Sequence, residues 1–346
     1  MNVRRSLPIP IQNDRSRRKA HAHGDTSPDL VHHSSSYSSF SPNLSAPTPP
    51  SFVPKVPHVL SKVGSYLLTE ETELNVFRAL DAVTHEESTC KVVEATKYTE
   101  KFAPNFKLEP HGNISQVHEV LLGEEQAYVF FPRDFGDLHQ YVRSKRKLRE
   151  EEASPLFYQM VKAVAHCHEG GIVLRDLKLR KFVFKNAQRT EVMLEGLEEA
   201  YILDERDSDL LCDKHGCPAY VSPEILNTEP CYSGKCADVW SLGVILYTIL
   251  VGRYPFHDTE PSSLFGKIRR GRFTVPDSIS AQAKCLLRSI LRVNPAERLT
   301  ADEVLDHPWF RQSTQVVSPG SYTGKVADQT VPDFSAPEPE DDSIFL

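Results

Sequence analysis

An apolar run in the second half of the chain constrains its fold more than any other feature. Residues 239–250 are apolar at nearly every position, so a helix formed here is hydrophobic on all of its sides. The run is too short to cross a membrane, because a spanning helix needs about 20 apolar residues. We therefore predict a buried central helix, which requires a large helical layer packed around it.

Two different hydrophobic periods divide the rest of the chain. Between residues 156 and 165 apolar side chains recur every three or four positions, and residues 285–291 form a further apolar helical stretch. Before residue 135 the apolar residues form short β-prone runs between polar or turn residues. These runs are residues 66–68, 76–80, 89–93 and 128–131. We predict an α+β fold with a small β-rich part and a larger helical part.

Both ends of the chain differ from its middle in composition. Residues 1–60 are rich in Ser, Pro and His, and residues 311–346 are polar and acidic. Segments of this kind bury too little apolar surface to offset the entropy lost on ordering. We predict disordered segments at 1–60 and 311–346 around one folded domain at 61–310. A basic run at residues 15–19 is either a nuclear-import signal or a solvated charge cluster.

Composition and charge narrow the range of partners. The 346 residues carry a net charge of −7, which disfavours direct binding to nucleic acid. The seven cysteines are scattered and odd in number, without CxxC pairs, as is typical of a reducing compartment. The N-terminus lacks the apolar core of a signal peptide. We therefore expect no nucleic-acid partner and no membrane partner.

Six short motifs occur in an order that is typical of one fold. In chain order they are Lys91, Gly136-Asp137-Leu138, Leu174-Arg175-Asp176-Leu177-Lys178, Pro223-Glu224, Asp238-Val239-Trp240-Ser241-Leu242-Gly243 and Arg298. The ordered set resembles a protein kinase domain, which implies a bilobal fold with a small β-rich N-lobe and a larger helical C-lobe. The resemblance also implies a structural ion pair between Glu224 and Arg298, because buried charges are retained only when they are paired.

The loop that covers the ATP phosphates in a kinase is replaced in this chain. Such a loop is rich in glycine, because only glycine lets the backbone approach the phosphates closely. No glycine occurs between Gly64 and Gly112. Glu70, Glu71 and Glu73 lie in this region instead, and their charges would repel a triphosphate.

Both positions that bind metal in a kinase are changed as well. Lys181 stands where a kinase has its Asn ligand, five residues after Asp176, and Gly196 stands where it has the metal-binding Asp. Two like unit charges about 4 Å apart repel by about 4 kcal/mol at an effective dielectric constant near 20. Loss of one preorganised electrostatic group lowers a rate by roughly 10²–10³-fold. We expect no intact catalytic site, no bound metal and no cofactor.

Four charged residues near these positions are each open to two interpretations. Asp176 either accepts a proton from a substrate hydroxyl or is held in its loop by hydrogen bonds. Lys91 either contacts ATP weakly without metal or binds an acidic side chain, and no helical Glu is spaced to pair with it. Glu195 and Glu198 either recruit a metal or are solvated or paired locally.

Longer segments resemble a narrower group, the Tribbles pseudokinases. They are residues 174–182, 196–200, 213–224, 252–258 and 328–333, with Gly196 where the family usually has Ser. The resemblance implies a scaffold that recruits a constitutive-photomorphogenic-type E3 ubiquitin ligase to substrates such as CCAAT/enhancer-binding transcription factors. The pseudokinase domain would bind the substrate degron. The resemblance also implies that the chain modulates mitogen-activated protein kinase signalling, in the nucleus and the cytoplasm.

The same resemblance implies two binding segments near the C-terminus. The ligase's propeller domain is expected to bind the tail motif Asp328, Gln329, Thr330, Val331, Pro332 and Asp333. A mitogen-activated protein kinase kinase is expected to contact Leu305, His307, Pro308, Trp309 and Phe310, although such residues close many ordinary kinase domains by packing under the large lobe. The alternatives to a scaffold are a weak metal-independent kinase that uses Lys91 and Asp176, and a nucleotide-sensing switch.

Overall fold

The N-lobe is built on one eight-stranded sheet. A computed structural model describes residues 2–5, 9–10, 59–204, 208–227 and 229–314. The strand order in the sheet is β1-β7-β8-β6-β5-β4-β3-β2, and all neighbouring strands are antiparallel except β1 and β7. The strands are β1 Asn2–Arg5, β2 Ile9–Pro10, β3 Ser61–Val63, β4 Tyr66–Glu73, β5 Val76–Asp81, β6 Glu87–Glu94, β7 Glu119–Leu122 and β8 Gln126–Pro132.

The two faces of this sheet bury different apolar clusters, because side chains alternate along each strand. One face carries a cluster that includes Tyr66, Cys90 and Phe130. The other carries Val129 and Phe131 and packs against the short helices α1 (Tyr98–Lys101) and α2 (Ala103–Lys107). Lys91 in β6 is paired with Val129 in β8. Lys91 therefore projects from the second face.

The C-lobe is helical and surrounds a central apolar helix, as predicted. This helix, α5 (Gly234–Val251), has 18 residues and is longer than the predicted apolar run, so by length and composition alone it could cross a membrane. However, 89% of it is buried inside the structure, as expected for a core helix. Ser233 caps its start by accepting a hydrogen bond from the Cys236 amide at 3.2 Å, and it ends at Gly252 in the left-handed conformation. The helices are α3 Leu138–Lys145, α4 Glu150–Glu169, α5 Gly234–Val251, α6 Pro261–Arg270, α7 Ala281–Ile290 and α8 Ala301–Leu305.

Three small two-stranded sheets fix the loops that face the N-lobe. They pair β9 (Ile172–Val173) with β12 (Tyr201–Ile202), β10 (Phe182–Phe184) with β11 (Val192–Leu194), and β13 (Leu210–Leu211) with β14 (Tyr232–Ser233). Single 3₁₀ turns lie at Leu179–Lys181, Leu197–Glu199 and Pro295–Glu297, and a longer 3₁₀ helix spans Pro308–Thr314. The first two turns bring residues 176–181 and 195–199 together at the cleft between the lobes.

The structure places Glu224 and Arg298 together in the C-lobe. The guanidinium of Arg298 donates to both carboxylate oxygens of Glu224, at 2.7 and 3.0 Å. It also lies 5.2 Å from the ring centre of Trp240 in α5. Removing one partner of a buried pair leaves an uncompensated charge, so this contact links the end of the 208–227 segment firmly to the C-lobe.

The predicted bilobal kinase-like architecture is confirmed, whereas the predicted tails stay predictions. Most of residues 1–60 and 311–346 lies outside the described part of the chain. Within the N-terminal segment, Asn2–Arg5 pairs with β7 and Ile9–Pro10 pairs with β3 at the two edges of the sheet. The basic run at 15–19 and the motif at 328–333 lie outside the described residues.

Candidate functional site

A cleft of about 1500 Å³ lies between the lobes. Its walls come from the β4–β5 hairpin, from β6, from the start of α3 and from the two C-lobe turns described above. Charged side chains of both signs line the cleft, which makes it a candidate site for a charged ligand. They include Lys91, Asp134, Asp176, Lys181, Glu195 and Glu198.

Lys91 is paired with Glu198, across 107 residues of sequence. Its ammonium group donates to Oε1 of Glu198 and also lies 5.1 Å from the ring centre of Phe131. Burial tends to raise the pKa of Glu198, but the charge and hydrogen bond of Lys91 outweigh it and hold that pKa below its usual value. Of the two interpretations of Lys91 and of Glu198, the pairing with an acidic side chain matches this geometry.

The position of Glu198 depends on the turn that precedes it. Gly196 has φ +69° and ψ +53°, a left-handed conformation that glycine adopts without the cost other residues incur. The turn Leu197–Glu199 follows, and the buried side chain of Leu197 anchors it in the C-lobe core. Glu198 is thereby directed into the cleft towards the sheet of the N-lobe.

Lys181 stands at one of the two positions that bind metal in a kinase, and its side chain reaches the other position, Gly196. Its ammonium group donates to the Gly196 carbonyl at 2.8 Å and lies 3.6 Å from Oδ2 of Asp176. Burial lowers the pKa of Lys181, although the neighbouring carboxylates oppose that effect. A cation at this point and a glycine without side-chain oxygens do not fit a magnesium ion, which prefers oxygen ligands in octahedral geometry.

Asp176 is held by its loop and by two lysines. A second ammonium group, that of Lys178, lies 3.2 Å from the same Oδ2. The loop backbone is fixed to α5, because the amides of Leu174 and Arg175 donate to the carboxylate of Asp238 at 2.8 and 2.9 Å. The interpretation of Asp176 as a residue held in the fold therefore matches its contacts.

Glu195 is the one of these acidic groups for which the described residues provide no hydrogen-bond donor to the side chain. Its backbone amide donates to the Lys181 carbonyl at 2.8 Å. Burial raises the pKa of its carboxyl to about 7, with a further contribution from Asp134 and an opposing one from Lys91. Glu195 is therefore about half protonated near neutral pH.

The hairpin that replaces the Gly-rich loop carries an apolar tip. Leu74 at the turn is 86% exposed, and the next residue, Asn75, has a positive φ. The Asn75 amide donates to the Glu71 side chain at 3.0 Å, while Glu70 pairs with Arg78 at 3.5 Å on the surface. Two of the three glutamates therefore have local partners.

The segment that is expected to contact a mitogen-activated protein kinase kinase packs partly into the C-lobe. Trp309 is 2% exposed, and its indole NH donates to Glu150 at 2.8 Å. Phe310 is half-buried against Phe157 and Tyr158. Leu305 and His307 are half-buried as well, and Pro308 is exposed. A partner that binds the Trp309 ring must first remove it from this packing.

Two features of the site region had no counterpart in the sequence analysis. The pairing of Lys91 with Glu198 has no local signal, since the two residues come from different lobes. A disulfide bond joins Cys212 and Cys231, whereas the cysteine pattern predicted a reducing compartment, in which thiols stay unpaired. The described residues contain no cluster of three or more His, Cys, Asp or Glu side chains that would suit a metal ion.

Comparison with known proteins shows first the broad class of the chain and then its family. The family described as "Protein kinase domain" matches residues 73–310 of this chain. Three relatives are Tribbles homolog 2 of Canis lupus familiaris, 57% identical over 98% of both chains, Tribbles homolog 1 of Homo sapiens and Tribbles homolog 3 of Mus musculus. The human relative is 56% identical over 83% of this chain and 76% of its own length, and the mouse relative is 51% identical over 84% and 83%. The chain belongs to the Tribbles family of protein kinase-like proteins.

Proposed function

We propose that this chain is a pseudokinase, and that it acts as a scaffold which brings a ubiquitin ligase to a protein substrate. The observation that carries the proposal is the set of internal ion pairs in the cleft. Lys91 is paired with Glu198, and Lys181 lies between Asp176 and Gly196. In an active kinase the corresponding lysine contacts the phosphates while it is paired with a helical Glu, and the two metal positions carry Asn and Asp.

The energetic argument rests on charge. Two like unit charges about 4 Å apart repel by about 4 kcal/mol at an effective dielectric constant of 20, and a divalent ion beside Lys181 would meet about twice that repulsion. A nucleotide without metal avoids this cost but must displace Glu198 from Lys91. The fold holds Lys181 and Glu198 in place. Each binding of a nucleotide would therefore meet one of these two energy costs, which opposes phosphotransfer.

The scaffold role is what the resemblance to Tribbles pseudokinases implies, and membership of the Tribbles family supports the proposal. We infer that the domain at 61–310 binds the degron of a transcription factor of the CCAAT/enhancer-binding type. The motif at 328–333 would bind the propeller domain of a constitutive-photomorphogenic-type ligase. In this motif Val331 and Pro332 form a small apolar anchor with restricted φ, flanked by Asp328 and Asp333 for a basic rim on the partner.

Two further family properties belong to the same proposal. A mitogen-activated protein kinase kinase would bind the segment of Leu305, His307, Pro308, Trp309 and Phe310, with Pro308 as its exposed residue. Action on a transcription factor and on a signalling kinase would place the chain in both the nucleus and the cytoplasm.

The test of the scaffold is the affinity of the full chain for the isolated propeller domain, measured by calorimetry. We expect the double variant Val331→Ala/Pro332→Ala to lose at least tenfold in affinity. The matched control is Pro337→Ala/Pro339→Ala, which removes prolines from the same tail outside the motif. Equal affinities of the two variants would refute the assignment of the motif.

The test of the pseudokinase assignment is a phosphotransfer assay on the same preparation. We expect no transfer above that of the double variant Lys91→Ala/Asp176→Ala. Transfer that is lost in both single variants, Lys91→Ala and Asp176→Ala, would instead favour the weak metal-independent kinase. Thermal stabilisation by ATP without turnover would favour the nucleotide-sensing switch, since a ligand at 100 times its Kd stabilises by about 2.7 kcal/mol.

A further inference from the structure

Cys212 and Cys231 lie at the open end of a very short sheet. Cys212 directly follows β13 and Cys231 directly precedes β14, and these two strands pair with antiparallel register. The Cα atoms of the two cysteines are 4.1 Å apart, and their sulfurs are bonded. Cys212 is exposed and Cys231 is half-buried, so small reagents in solution can reach the pair.

The disulfide closes the loop between Cys212 and Cys231, and residues of this loop contact the loop that contains Asp176. Within the loop closed by the disulfide, Asp213 forms an ion pair with Arg175, the residue before Asp176. Further along it, Glu224 is anchored to Arg298. The interior of the loop is therefore fixed to the C-lobe by a buried pair at Glu224, whereas the two ends of the loop are tied by the two-residue ladder, the exposed Asp213 and the disulfide.

The strand ladder is weak without a covalent bond. It contains two residue pairs, Leu210 with Ser233 and Leu211 with Tyr232, and Leu210 is largely exposed. Additional support comes from Asp209, whose carboxylate accepts hydrogen bonds from the Ser233 hydroxyl at 2.6 Å and the Lys235 amide at 3.0 Å. A two-stranded hairpin is at best marginally stable by itself.

Other cysteines of the chain are placed differently. Cys90 and Cys167 are buried in the cores of the two lobes, and burial raises the pKa of both thiols, which keeps them protonated. Cys285 is exposed on α7 and has no disulfide. Cys217 and Cys236 are half-buried and are not disulfide-bonded. Among the described residues, Cys212 and Cys231 are thus the adjacent bonded pair, and Cys285 is an exposed single cysteine for comparison.

We propose that Cys212 and Cys231 form a reversible redox site, which is oxidised by a low-molecular-weight disulfide and reduced by the corresponding thiol. Oxidation begins when the thiolate of the more exposed Cys212 attacks one sulfur of glutathione disulfide. The S–S bond of the oxidant breaks, and one glutathione leaves as a thiolate that takes up a proton. The Cys231 thiolate then attacks Cys212 in the mixed disulfide and releases the second glutathione. The protein loses two electrons and two protons, and two glutathione molecules gain them.

We expect reduction of the disulfide to make the two ends of the loop, at β13 and β14, less ordered. Without the bond, the β13–β14 ladder and the Arg175–Asp213 pair are held by non-covalent contacts alone. These are the two strand pairs, the packing of Leu211 and Tyr232 in the C-lobe core and the ion pair of the exposed Asp213. Closing a loop of this length restricts the open ensemble enough to change the opening equilibrium on the order of 100-fold. This inference does not depend on the proposed scaffold function, because the thiol chemistry needs no partner protein.

The test measures the oxidised fraction of each cysteine in the full chain, over a series of ratios of glutathione to glutathione disulfide. Free thiols are trapped with one isotopic form of an alkylating reagent, and oxidised thiols are reduced and labelled with a second form. We expect Cys212 and Cys231 to become protected together, with a cross-linked peptide, while Cys285 remains available or carries glutathione. Equal and independent labelling of Cys212, Cys231 and Cys285 at every ratio would overturn the proposal.

Two variants and one further measurement make the test specific. Cys231→Ser removes the resolving thiol, so glutathione should stay on Cys212 as a mixed disulfide, whereas Cys285→Ser should leave the cross-link unchanged. Hydrogen exchange of residues 210–211 and 232–233, compared between oxidised and reduced wild-type chain, should be on the order of 100-fold faster in the reduced form. Equal exchange in the two forms would overturn the proposed control of the ladder.

Discussion

The pair between Lys91 and Glu198 gives the sharpest quantitative test of the cleft. Replacing Glu198 by Gln keeps the shape of the side chain and removes its charge, so Lys91 loses its anionic partner. Two unit charges about 4 Å apart interact by about 4 kcal/mol at an effective dielectric constant of 20. Lys91 is 23% exposed and Glu198 is 13% exposed, so solvent screens part of this energy. We assign about 1.4 kcal/mol to the screened interaction between Lys91 and Glu198, which corresponds to a tenfold change in an equilibrium constant.

The expected result is therefore a roughly tenfold gain in affinity for ATP in the absence of metal. It is measured by calorimetry in the presence of a chelator, at a temperature well below unfolding. The same variant should unfold more easily by about 1–2 kcal/mol, because it leaves a partly buried ammonium group unpaired. Glu199→Gln is the matched control, since its side chain lies in the same turn and is 61% exposed.

Two outcomes would refute this reasoning. Unchanged ATP binding in Glu198→Gln, with a folded domain, would mean that the carboxylate does not compete with phosphate for Lys91. An equal gain in Glu199→Gln would mean that the effect comes from the overall charge of the cleft. In the second case the specific pair would have no role in excluding nucleotide.

Three further predictions concern stability, each measured by denaturant unfolding. Arg298→Ala should cost about 3–5 kcal/mol, because it leaves the carboxylate of Glu224 buried without its partner; a loss under 1 kcal/mol would contradict the buried pair. Gly196→Ala should cost about 1–2 kcal/mol because of its left-handed backbone, whereas Gly112→Ala, where an added Cβ meets no atom within 4 Å, should cost less. The pKa of Glu195 is raised to about 7 in the folded state, so the folded chain binds more protons than the unfolded chain between pH 4.5 and 7. Stability should therefore fall as pH rises through this window, by at most about 2–3 kcal/mol, and Glu195→Gln should remove the slope.

Elements with a strong local pattern were predictable from the sequence. The central helix α5 follows from a run that is apolar on every side, and the β-prone runs of the N-lobe lie in strands β4, β5, β6 and β8. The order of short motifs was sufficient to predict the bilobal fold. For the helix and the strands the information lies within a run of neighbouring residues, whereas the bilobal fold was predicted from the resemblance of the ordered motifs to a protein kinase domain.

Contacts between distant segments were not predictable in the same way. The helical region after β6 is split into α1 and α2, so spacing arguments that search for a glutamate on a regular helix find none. The partner of Lys91 comes instead from a turn of the C-lobe, whose position depends on the left-handed Gly196. The disulfide also depends on tertiary placement, because two scattered cysteines meet only when β13 and β14 pair.

The bridge between Lys91 and Glu198 has a consequence for how the domain responds to its surroundings. It joins the two lobes through groups of the same molecule, so it forms without any bound metabolite. A domain whose lobes are bridged by a bound nucleotide loses that bridge when the nucleotide is scarce. Here the lobe-to-lobe contact is part of the chain itself, so it persists when nucleotide is scarce and responds to acidity and ionic strength.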